Sequence, residues 1–116
     1  MTITEATAPS ALTAAFEEMK SIQSEFDALY FSGGGTADEK RRHVCFHLMK
    51  LVGKVATVEE RVDHGEFDFS VFEREVIPDL LVFAAQLADL FDVDLAGALA
   101  DRHVEIASRL GPSSDR

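Results

Sequence analysis

The sequence predicts an all-α fold, a four-helix bundle, on three observations. Apolar residues recur at three- and four-residue steps in four separate stretches, the period of a helix face rather than of a strand. Between them lie helix starts and stops: Thr36 and Ser70 as starts, Gly33-Gly34-Gly35, Gly65 and Gly111-Pro112 as terminators. No segment carries a strand pattern.

The first helix is expected over about 11–30, with Ser10 as N-cap and Leu12, Phe16, Met19, Ile22, Phe26 and Leu29 facing the core. Its other face, Glu17, Glu18, Lys20, Gln23, Glu25 and Asp27, reads as solvated surface. Three consecutive glycines then lose too much backbone entropy to stay helical, and without the lysine and spacing of a P-loop they read as a flexible connector. Thr36 and Glu39 form a capping box opening a second helix over 37–64, closed by Gly65.

That helix carries two apolar rows. Val44, Leu48, Leu51, Val52, Val55, Val58 and Val62 form the first; Cys45, Met49, Val52 again and Ala56 form a second beside it. An arc this wide calls for partners on two sides, a neighbouring helix and a second subunit. Gly53 costs about 1 kcal/mol against alanine inside a helix, so a close helix contact is expected there. The remaining stripe, His43, His47, Lys50, Lys54 and Arg61, is basic.

Phe67 and Phe69 are expected to tuck under the bundle, and Ser70 with Glu73 to cap a third helix over 71–91, kinked near Pro78. Asp79 to Phe91 is interrupted only by Asp79, Gln86 and Asp89, which makes it the central helix. Asp94 is placed to cap a fourth helix over 95–110.

A chain of 116 residues, 47% hydrophobic and 28% charged, sets an expectation of one globular domain over 10–111, with flexible tails at 1–9 and 112–116. No run reaches the roughly 18–20 apolar residues of a membrane span, and the start lacks a secretory signal, so a cytoplasmic location without a membrane partner is expected. A lone cysteine, Cys45, fits a reducing compartment and reads as an inert core residue. A net charge of −10 opposes general nucleic-acid binding. His43 and His47, one helical turn apart, can in principle grip a metal, but no HExxH glutamate accompanies them and they read as surface or groove histidines.

From His47 to Leu110 the chain resembles the MazG-like all-α nucleoside triphosphate pyrophosphohydrolases, a superfamily that includes dimeric dUTPases and phosphoribosyl-ATP pyrophosphohydrolases. The resemblance rests on Asp79-Leu80-Leu81-Val82-Phe83-Ala84-Ala85-Gln86-Leu87-Ala88-Asp89, then Val93-Asp94-Leu95 and Ala98-Leu99, with a weaker match in Lys50-Leu51-Val52-Gly53-Lys54. It implies a commonly dimeric bundle, here a homodimer or higher homo-oligomer, holding Mg²⁺ through an ExxE pair on the second helix and an ExxD pair on the third. Paired carboxylates one turn apart suit a hard, octahedral ion that binds triphosphate. Here the matching positions are Leu51 and Lys54, then Val76 and Asp79, so only Asp79 keeps the chemistry.

The first expectation from this resemblance is a degenerate, non-catalytic member that needs no cofactor. Lys54 takes the place of the cation and pairs with Asp79, and also with Glu75. Such a protein serves as a binding or scaffold protein, with His47, Lys50, Arg102 and Arg109 as candidate contacts for a nucleotide or phosphorylated small molecule; Ile106, between those arginines, cannot donate. The alternative is an active, Mg-dependent pyrophosphohydrolase of the house-cleaning type, with ligands relocated to Glu59, Glu60, Glu73, Glu75 and Asp79.

Overall fold

A computed structural model of the chain describes residues 10–30 and 35–111, and every regular element among them is helical. Four α-helices follow in order: α1 (Ser10–Tyr30), α2 (Ala37–Asp63), α3 (Ile77–Phe91) and α4 (Leu95–Leu110), with a π turn (Phe72–Val76) leading into α3. The expected tails at 1–9 and 112–116, and residues 31–34 of the expected connector, lie outside the described residues.

Local chemistry sets most helix ends. Thr36 accepts the Glu39 amide at 3.1 Å, its half of the expected capping box. Gly65, at φ +83°, closes α2: its amide donates to Val62 and that of Glu66 to Arg61, the paired bonds of a Schellman turn. At the third helix the cap is not the expected one. Ser70 is already helical, and Asp68 two residues upstream accepts the Ser70 amide at 3.0 Å. Asp94 flanks α4 without a side-chain cap bond, and its carboxylate lies against Gly97.

Pro78 was expected to kink its helix. It lies just after a widened turn, in a helical run unbroken from Ser70 to Phe91: Ile77 N–H donates to Phe72 O, five residues back. The extra residue turns everything N-terminal to it by about 100° relative to an unbroken α-helix.

The helices form an open bundle around α3, which packs on both α1 and α2, while α1 also covers α4. Its buried residues are Val44, Leu51 and Val58 of α2, Val76, Ala85 and Ala88 from the π turn and α3, and Ala96 of α4. The α2 members recur every seven residues, a narrow seam of the coiled-coil kind, and the alanines let backbones approach closely. The radius of gyration is 17.4 Å, against about 13 Å for a compact chain of this length. No described helix is long and apolar enough to cross a membrane.

This openness overturns several burial expectations. The second apolar row of α2, with Cys45, is exposed. Apart from the nearby backbone of α2 itself, nothing among the described residues lies within 4 Å of a β-carbon built on Gly53, so no close helix contact among them explains that glycine. Phe67 and Phe69 are exposed rather than tucked under. In the second half of α1 the two faces exchange roles: Ile22, Phe26 and Leu29 are exposed, while the polar row meets α3. Gln86 of α3 donates to both carboxylate oxygens of Asp27, at 3.1 and 3.3 Å, and Gln23 donates to Asp27 at 2.8 Å. Lys20 donates to the Val93 carbonyl at 3.2 Å, which sets α1 antiparallel to α3.

Candidate functional site

The positions to which the family resemblance assigns metal ligands lie between α2 and the π turn and α3. Two of the four are core. Leu51 is 3% exposed and Val76 5%, so both fill the hydrophobic interior and present nothing to a cation. Lys54, one turn after Leu51, is half-exposed and reaches across to the π turn, where its Nζ donates to Glu75 Oε1 at 2.6 Å.

Expectation and geometry differ on the partner. Asp79 was the first expected partner of Lys54, with Glu75 second; Glu75 makes the bond, and Asp79 acts on Lys54 only through its charge. The reason is local. A uniform α-helical register cannot anticipate the wide turn before Pro78, which rotates Glu75 relative to Asp79.

The electrostatics follow this pair. The hydrogen bond that Lys54 donates to Glu75 and the negative charge of Glu75, with a smaller contribution from Asp79, raise the Lys54 ammonium above the ordinary lysine value. The Lys54 hydrogen bond and charge, helped by Arg74, hold the Glu75 carboxyl below the ordinary glutamate value. Lys54 is 48% and Glu75 39% exposed at the side chain, so the surrounding water weakens the pair.

The basic stripe continues up α2 from Lys54. The rings of His43 and His47 lie 4.3 Å apart between centroids and tilted by 52°. Partial desolvation, then the charges of His43, Lys50 and Lys54, lower the His47 pKa below the usual histidine value. Desolvation opposes the extra proton most, and the neighbouring cations of the stripe add to it. A shallow groove lined by Glu39, Arg42, His43 and Phe46 extends it toward the start of the helix.

Arg102 and Arg109, expected beside this stripe, are placed elsewhere. They lie on α4, which packs on α1 and shares no extensive surface with α2, and both bond Glu105, at 2.7 and 3.3 Å. The proposed phosphate contacts thus divide between two surfaces, and only His47 and Lys50 stay with Lys54.

The four positions to which the resemblance assigns magnesium ligands do not keep that set: Leu51 and Val76 are buried and apolar, and Lys54 is itself a cation. Among the described residues no three His, Cys, Asp or Glu side chains converge as a metal ligand set does. Glu59 and Glu60 are exposed near the end of α2, Glu73 is exposed on the π turn, and Glu75 is held by Lys54. No family model, curated protein or solved structure matches the chain. What the site can do rests on its own geometry: an ion pair at the centre and a cationic helix face beside it.

Proposed function

We propose that this chain is a divergent relative of the MazG-like pyrophosphohydrolases that serves, as a cytoplasmic homodimer, to bind a phosphorylated small molecule without metal or catalysis. One observation supports this reading: Lys54, at a position to which the resemblance assigns a metal-binding carboxylate, pairs with Glu75 at 2.6 Å. A fixed cation neutralises the site but cannot shed ligands to activate water, so the hydrolytic step has no agent. Leu51 and Val76, buried at two further ligand positions, support the same reading. The anion would lie along the Lys50 ammonium and the neighbouring His47 imidazole, which share one face of α2 by helical spacing.

The test is calorimetric titration of inorganic pyrophosphate and nucleoside triphosphates in chelator, with a parallel assay of pyrophosphate release in Mg²⁺ or Mn²⁺. Metal-free binding weakened by Lys50→Ala, without turnover, is the expected result. Turnover abolished by Asp79→Ala would establish the hydrolase with relocated ligands instead.

A further inference from the structure

The helix α2 carries a second seam as regular as the one it packs on α3. Asp38, Arg42, Cys45, Met49, Val52, Ala56, Glu59 and Asp63 recur at alternating steps of four and three, the a/d spacing of a coiled coil. All eight are exposed; Met49 keeps 66% of its surface and Val52 63%, where a helix packed on one side only carries polar residues. The seam runs ~38 Å at the usual helical rise.

Its charges are sorted along its length. Asp38 and then Arg42 stand at the N-terminal end, Glu59 and then Asp63 at the C-terminal end, and Cys45, Met49, Val52 and Ala56 between them, so that Arg42 and Glu59 are equally far from the centre. Neither Arg42 nor Glu59 makes an ion pair among the described residues. Opposite charges placed symmetrically about a centre, as Arg42 and Glu59 are, meet when the surface is turned end over end against a copy of itself. We infer that two copies of this chain associate through an antiparallel pairing of α2 with α2 along this seam, centred between Met49 and Val52.

In that register Met49 lies opposite Val52 of the partner subunit, Cys45 opposite Ala56 of the partner subunit, and Arg42 opposite Glu59 of the partner subunit. Each contact occurs twice about the two-fold axis. A parallel pairing would set like charges against each other at both ends. The one unfavourable meeting, Asp38 against Asp63, falls at the seam's rim, and Asp38 is already bonded by Arg41 at 2.7 Å. Cations on the basic stripe point away from the seam by helical spacing, so both copies keep them accessible. The pairing gives the homodimer proposed above a surface and a register, and it requires no ligand.

Size-exclusion chromatography with light scattering, on the full chain at micromolar concentration, reads the assembly. The unmodified protein is expected at twice its 12.7 kDa mass. Met49→Glu and Val52→Glu should give monomers with unchanged helical circular dichroism, because neither side chain is packed within the chain. Arg42→Glu should raise the dimer dissociation constant about tenfold, as two exposed ion pairs allow, and Arg42→Glu with Glu59→Arg should restore it. Ala56→Cys should form a covalent dimer with Cys45 under mild oxidant, where the unmodified chain does not. A monomer at every concentration overturns both the dimer and the seam. A dimer that survives Met49→Glu but is broken by Phe26→Glu overturns the seam alone, and cross-linking through Cys45 in the unmodified chain overturns the antiparallel register.

Discussion

Lys54 and Glu75 stand 21 positions apart in the chain, yet the ammonium of one donates to the carboxylate of the other at 2.6 Å, tying α2 to the π turn. Each shifts the other's pKa toward its charged form. The depressed Glu75 pKa contributes stability that is present above the ordinary glutamate value and lost as pH falls through the lowered one. The raised Lys54 pKa contributes stability that is present below the ordinary lysine value and lost as pH rises through the raised one. Glu75→Gln should therefore lower the melting temperature by a small amount at neutral pH. The difference should begin to close as pH falls below about 4.3 and as it rises above about 10.4, vanish past the lowered Glu75 and raised Lys54 values, and shrink in high salt. A constant difference across that range would remove the ion pair as its cause.

The same pair predicts what would restore a cation site. Lys54→Glu places a carboxylate beside Glu75 and near Asp79, so three acids share the cleft and repel one another. Without metal the variant should melt below the parent chain; millimolar Mn²⁺ should raise its melting temperature and leave the parent unaffected. Equal responses of parent and variant would mean that Lys54 does not stand in for the metal.

Much of the fold is legible in the sequence, because caps and apolar periods act over a turn or two. Thr36 and Gly65 bound α2 within a residue of expectation. Partner geometry is less legible. Nothing local to Phe72 through Val76 announces a widened turn, so the register that brings Glu75 rather than Asp79 to Lys54 emerges only once that turn, just before Pro78, is in place. Nor does amphipathicity alone say which face of α1 meets α3: a carboxylate with two amide donors, Asp27 with Gln23 and Gln86, is satisfied between helices, and Phe26 is left outside. For α2 the sequence shows two apolar rows but not their order of use; the chain itself fills only one.

Two glycines should respond in opposite directions to one substitution. A β-carbon at either Gly53 or Gly65 meets open space, so only the backbone decides. Gly53 is mid-helix, and Gly53→Ala should stabilise by about 1 kcal/mol through helix propensity. Gly65 has φ +83°, and Gly65→Ala should destabilise by about 1 kcal/mol because its side chain would crowd the following carbonyl. Urea denaturation of both variants gives the two signs; a loss at Gly53 would show that another chain approaches it.

His47 supplies the most direct reading of the basic stripe. Its pKa is lowered by partial desolvation, then by His43, Lys50 and Lys54, so the unfolded chain binds a proton at this residue more readily than the folded one. Stability linked to His47 is complete above the ordinary histidine value of about 6.5 and falls as acidification carries the pH down toward the lowered value. His47→Gln should remove that part of the acid sensitivity while leaving the neutral-pH melting temperature nearly unchanged. A bound phosphate group adds negative charge beside the imidazole and should reverse the shift, raising the His47 titration midpoint. Nuclear magnetic resonance titration of the imidazole, with and without inorganic pyrophosphate in chelator, measures both effects. A midpoint at or above about 6.5 in the free protein would mean the stripe is no more positive than open solvent, and an unchanged midpoint with pyrophosphate would place the anion elsewhere.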